Sequence, residues 1–249
     1  MAVVSDRAQR REFKAAARPA RRAIYVWELP VRIVHWTIVL AVIVLSFTGY
    51  YIYHPFFSGS GGPGHPGFTM ATVRFIHEVA GFVFIVAVLF RIYWAFVGNR
   101  YAHWRGLLPV TPAQRRDLRE MVRYYSYRRP DPAPTNGHNP LAGMAYGLLY
   151  ALFAVSILSG LGLFAWVSRI PAWSTLFGWT WSVLPIEQLR LVHFFLMFLF
   201  IGFAIHHVYS SVLFDVEEHN GELSSMVTGY KADADDGVTP AEESREAPE

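Results

Sequence analysis

The chain has 249 residues, 53% of them hydrophobic, 16% aromatic and 16% charged, with a formal net charge of +3. So little charge over this length, with a mean hydropathy of +0.25, excludes an ordinary soluble domain. The lack of cysteine excludes disulfides, cysteine-ligated iron–sulfur clusters and thioether-linked c-type haem.

Residues 1–24 read as a basic cytoplasmic arm carrying Arg7, Arg10, Arg11, Lys14, Arg18, Arg21 and Arg22. The run Arg10-Arg11-Glu12-Phe13-Lys14 echoes a twin-arginine export signal. No apolar core or cleavage site follows before Pro19 and Arg22, so the arm reads as solvated chain beside anionic lipid. Four apolar runs come next, at about 33–52, 75–97, 144–167 and 191–214. Each has about the 20 residues that cross a bilayer core as a helix. They predict an all-α membrane protein, a four-transmembrane-helix bundle within a domain spanning 25–231. Residues 232–249 are acidic, poor in apolar side chains, and read as a disordered tail.

Arginine orients the bundle. Arg32 adds to the basic arm, and the connector after the second helix holds Arg100, Arg105, Arg115, Arg116, Arg119, Arg123, Arg128 and Arg129. Residues 53–73 have no Lys or Arg, and 168–190 have only Arg169 and Arg190. The positive-inside rule places both termini and the 98–143 connector in the cytoplasm. The other two connectors then face the opposite side, the periplasm if the source is bacterial. Trp173, Trp179 and Trp181 on that side read as an interfacial aromatic belt. His54, His65, His103 and His219 fall in connectors or tail and read as solvated or partner-facing.

Histidines mark the ends of the spans. His193 and His207 are 14 residues apart, which on a helix is an offset of about 40° and an axial separation of about 21 Å. They share a face; His206 lies about 140° round from His193. By depth, His35 matches His207 near the cytoplasmic surface, and His77 matches His193 near the outer one. Imidazole on both axial positions suits a low-spin b-type haem that shuttles electrons, and bundles build such sites from facing helices. A single membrane histidine is more often an interhelical hydrogen bond, but four in two depth-matched pairs point to two haems. Gly49, Gly81, Gly160, Gly162 and Gly202 would serve either flat macrocycles or close helix packing.

Several stretches resemble a known family. They are "YVWELPVRIVHW" and "VLSFTGYYI" (25–52), "RFIHEVAGFVF" and "RIYWAFVGNRY" (74–101), "GHNPLAGMA" (137–145), and "HHVYSSVLFDV" with "SSMVTGYK" (206–231). They are similar to the b-type cytochrome subunit of membrane-bound nickel–iron hydrogenases, over about residues 24–231. The resemblance implies a di-haem cytochrome b with ligands at His35, His77, His193 and His207, and none at His206. It implies hydrogenase small and large subunits docked on the outer face of a bacterial cytoplasmic membrane. Their electrons would cross from the outer haem (His77–His193) to the inner one (His35–His207) and reduce membrane quinone. The partners expected are thus hydrogenase, quinone and lipid bilayer, with no role for nucleic acid. Two departures stand out. Leu213 and Phe214 precede Asp215 where the family usually has an Arg-Glu pair, and Leu196 replaces a typical glycine.

Arg91 follows His77 by 14 residues and so shares its face at the cytoplasmic end. A buried guanidinium there needs a partner, such as a haem propionate or a quinone oxygen, unless it snorkels to the headgroups. Arg32 and Arg74 each precede a ligand histidine by three residues and would meet propionates or anchor the interface. His138 and Asn139, just before the third helix, offer a titratable group and an amide donor to quinone. Read without the resemblance, Asn139 is an N-cap before Pro140. Two other readings stay open: the cytochrome b of a formate dehydrogenase or thiosulfate reductase type of enzyme, and a histidine-relay proton channel or transporter.

Overall fold

A computed structural model of the chain describes residues 23–56, 68–107, 111–129, 140–218 and 221–232. Four helices are long and apolar enough to cross a membrane. They are α1 (Leu29–Tyr53), α2 (Thr69–Val97), α5 (Pro140–Val167) and α8 (Ile186–Glu218). Helices suit such sequences because every backbone N–H and C=O within the span is satisfied locally, with no water needed. Each packs on two neighbours, α1 on α2 and α8, and α5 on α2 and α8, so the four close into a ring. All four begin before their apolar runs, and α1 and α8 also end after theirs.

The middle of the ring is a dry core of Ala41, Phe84, Val88, Phe153, Leu196 and Phe200. Phe153 meets Phe84 at 4.9 Å and Phe200 at 5.2 Å, both ring pairs edge-on. The glycine departure at Leu196 is absorbed here, as a buried apolar contact.

One end of the ring carries a cap absent from the sequence reading. Strand β1 (Ala23–Tyr25) pairs antiparallel with β2 (Tyr230–Ala232), matching Ala23 to Ala232 and Tyr25 to Tyr230. This sheet straddles both domain boundaries placed at 24/25 and 231/232. Three-residue strands are too short for alternation to reveal. Helix α9 (Glu222–Thr228) leads into β2 through Gly229, whose φ is 90°. A Cβ on Gly229 would stand 2.8 Å from the Trp27 carbonyl oxygen, so the close approach of β1 requires glycine there. Val26 and Trp27 donate backbone bonds to the Gly229 carbonyl. Val26, Trp27, Val31 and Ala102 form a second small core beneath.

The described part of the connector after α2 contains helices as well. It holds α3 (Trp104–Leu107) and an amphipathic helix α4 (Pro112–Tyr125). Thr111 and Gln114 close a reciprocal capping box at the start of α4, and Met121 is its buried anchor. At the opposite end, α6 (Pro171–Phe177) and α7 (Trp179–Val183) lie across the helix ends. There Trp173 packs on Phe82 and Phe164, and Trp181 donates to the Gly162 carbonyl.

Candidate cofactor site

Both histidine pairs meet. His35 on α1 and His207 on α8 face each other at the sheet end, ring centroids 6.3 Å apart with planes at 63°. His77 on α2 and His193 on α8 do so towards the far end, at 6.3 Å and 77°. Two metal–imidazole bonds of about 2.0–2.1 Å, plus about 1.1 Å from each nitrogen to its ring centre, put two rings about 6.3 Å apart across one metal ion. Ordinary edge contacts between rings also span about 4.5–7 Å. The distance therefore takes its meaning from what the second ring nitrogens do.

At the far end both are engaged. His77 Nδ1 lies 2.8 Å from Thr48 Oγ1, and that hydroxyl donates to the Val44 carbonyl at 2.7 Å. His193 Nδ1 lies 2.9 Å from Ser159 Oγ, which donates to the Ser156 carbonyl at 3.1 Å. Each hydroxyl has one hydrogen and has already placed it on a backbone carbonyl. The histidines are thus assigned as Nδ1–H donors, leaving the Nε2 lone pairs free for a metal. At the sheet end His207 Nδ1 lies 3.3 Å from the Tyr146 hydroxyl, and Phe203 stacks on the ring at 5.7 Å and 9°. Thr48, Ser159 and Tyr146 were not singled out in the sequence. Lone hydroxyls inside apolar runs were the available signal.

Two glycines bring backbone against these rings. A Cβ on Gly49 would stand 3.2 Å from His77 Cε1, and one on Gly160 would stand 3.0 Å from His193 Cε1. Gly162 instead makes room for Thr180 and Leu189, so its role is helix packing. Gly81 only reaches ordinary contact with Leu45, and Gly202 faces open space.

His206 is exposed, with Nε2 3.4 Å from Ser210 Oγ, on a different face from His207 as the helical phase requires. Arg91 is half-buried and donates to the Ala102 carbonyl at 3.3 Å. Arg32, one turn before His35, donates through Nη1 to the Val227 carbonyl and keeps a buried Nε with no partner. A carboxylate such as a haem propionate would satisfy that donor. At the end of α8, Phe214 rests against Tyr125 at 6.3 Å, and Asp215 Oδ1 is buried without a hydrogen bond. His138, Asn139, His65 and His219 lie outside the described residues, as do 1–22 of the basic arm and 233–249 of the tail.

The donor set fits haem. Two imidazoles are a small share of what a bare transition metal takes, but they complete an iron that already has four equatorial nitrogens.

Relatives carry matching names. The chain is 33% identical over 232 residues to the "Probable Ni/Fe-hydrogenase B-type cytochrome subunit" of Cupriavidus necator, covering 92% of this chain and 95% of that protein. It is 35% identical over 224 residues to the protein of the same name from Rhodobacter capsulatus, covering 88% and 85%. The "Probable Ni/Fe-hydrogenase 1 B-type cytochrome subunit" of Escherichia coli is 35% identical over 215 residues, covering 84% and 90%. The pattern of the prokaryotic cytochrome b561 family matches residues 26–229, which include all four facing histidines. With its four apolar helices and its histidine-lined interior, the chain belongs to the prokaryotic cytochrome b561 family.

Proposed function

We propose that this chain is the membrane di-haem cytochrome b of a nickel–iron hydrogenase, anchoring that enzyme and passing its electrons to membrane quinone. The observation that carries this reading is the pair of facing imidazole sets, joined by one helix and lying towards opposite ends of the ring. The family implies b-type haem, and the names of the relatives supply the hydrogenase. When bound, haem would supply one-electron chemistry, and ligation by two imidazoles would suit it to transfer rather than oxygen activation.

The chain's own residues do the rest. His35 and His207 would hold the inner group, and His77 and His193 the outer one. Thr48 and Ser159 fix the outer rings by taking their Nδ1 protons in hydrogen bonds. Phe84, Phe153, Phe200 and Leu196 keep the space between the sites apolar, which denies protons a path that electrons do not need. The sheet end carries Arg32, Arg100, Arg105 and the arginines of α4, whereas the far end carries Arg74, Arg169 and Arg190. That asymmetry supports a cytoplasmic sheet end and a periplasmic far end in a bacterial inner membrane. Quinone is assigned to the cytoplasmic end, beside the start of α5, with His138, Asn139 and Arg91 as its candidate contacts.

The test is purification of the full chain from its native membrane with its bound partners, followed by addition of hydrogen without oxygen. A co-purifying nickel–iron hydrogenase and hydrogen-dependent reduction of the haem absorption bands are expected. A formate- or thiosulfate-metabolising partner, with bands that ignore hydrogen, overturns the assignment.

A further inference from the structure

The two histidine pairs have unlike surroundings. The outer pair ends in two neutral hydroxyls, those of Thr48 and Ser159, that spend their hydrogens on backbone carbonyls. The inner pair ends near charge. His207 contacts the Tyr146 hydroxyl, and α9, with Glu222 in its first turn, packs on α8, which carries His207. Glu222 in turn pairs with the Lys231 ammonium. The Lys231 side chain is only 2% exposed and that of Glu222 30%.

A lysine so enclosed is rare. A buried ion pair is also a poor source of stability, since apolar side chains of similar volume commonly do as well or better. What the pair does have is a fixed place. Glu222 sits on α9 and Lys231 on β2, and this cap is tied to both ligand helices. Trp27 Nε1 donates to Ser225 Oγ at 3.1 Å, Trp36 Nε1 donates to the Met226 carbonyl at 3.1 Å, and α9 packs on α8. Trp36 is the neighbour of His35, so the cap is held against the helices of both inner ligands.

We propose that Glu222 and Lys231 are positioning residues for the inner site, and that their two charges, through Tyr146 and His207, set the redox potential of the haem held there. The inference rests on the proposed ligation by His35 and His207. The sign follows from electrostatics. Reduction adds negative charge, so the Glu222 carboxylate disfavours it and the Lys231 ammonium favours it. The outer site, a membrane half away, is shielded from this pair by distance.

The test is a redox titration of the full-length, haem-loaded protein, followed by haem absorbance in wild type, Glu222→Gln, Lys231→Met, Lys231→Arg and the Glu222→Gln/Lys231→Met double variant. The inner transition is identified by its loss in His35→Ala. Glu222→Gln should raise the inner midpoint and Lys231→Met lower it, with the outer midpoint still. Lys231→Arg should keep the wild-type value, and the double variant should return towards it. Shifts of the same sign in both single variants, equal shifts of both haems, or no shift with haem content intact would overturn the inference. Retention of both haems in His35→Ala and in His207→Ala would instead overturn the ligand assignment beneath it.

Discussion

His77 and His193 face each other with ring centroids 6.3 Å apart, and His35 and His207 repeat that separation at the other end. The two pairs share α8 but differ in their second helix, their neighbours and their interplanar angles. That separation suits a bridging group as well as an edge contact, and at the outer pair the hydroxyls on both Nδ1 atoms leave Nε2 for such a group.

Thr48→Val and Ser159→Ala each remove the acceptor for a ligand histidine's Nδ1–H. The orphaned donor costs about 1–3 kcal/mol, and lost support behind a metal ligand typically costs about 10–100-fold in affinity. Haem should leave the outer site of each variant faster, by about 10-fold or more, when apomyoglobin is added as acceptor. The inner haem should leave at the wild-type rate.

Gly160→Ala puts a methyl group 3.0 Å from His193 Cε1, closer than side chains normally approach. The ring must tilt, and ligand geometry tolerates only about 0.5 Å of error. The outer haem should show a changed low-spin signal in electron paramagnetic resonance, with the inner signal unmoved. Gly162→Ala meets Thr180 and Leu189 instead, so it should lower thermal stability without selecting between the haems.

The bundle and the phase of its histidines were legible because apolar length and helical periodicity are properties of consecutive residues. Four runs gave four helices, and the 14-residue spacing put His193 and His207 on one face while turning His206 away. The cap was not legible. Its strands, Ala23–Tyr25 and Tyr230–Ala232, are three residues each and meet across the whole chain. The partners of the ring nitrogens were hidden for a related reason. Whether Thr48 reaches His77 depends on how α1 and α2 are rotated against each other, which no local pattern encodes. Helix α4 was different: Thr111-Pro112-Ala113-Gln114 spells a capping box that could have been read.

Quinone reduction should depend on the residues before α5. Asn139→Ala should slow electron transfer to quinone by about 10-fold, the factor that about 1.4 kcal/mol of lost hydrogen bonding produces. Both haem spectra and hydrogen oxidation with an artificial dye should stay unchanged. Wild-type quinone turnover in both Asn139→Ala and His138→Ala would move the site elsewhere, with Arg91 the next residue to test.

The partner should dock on the far end. Phe56, Trp179 and Leu176 are exposed there, and the proposed orientation turns that end to the periplasm. Cross-linking of intact membranes should join the small subunit of the hydrogenase to the 168–190 connector. Cross-links confined to α4 and the β1–β2 cap would reverse the orientation.

The count of haems per chain, with its dependence on each histidine, tests the central claim most directly. A pyridine haemochrome assay on gently purified protein should give two b haems per chain. His77→Ala or His193→Ala should remove the outer one, His35→Ala or His207→Ala the inner one, and His206→Ala neither. One haem in the wild-type protein, or loss of a haem in His206→Ala with His207 intact, would contradict it.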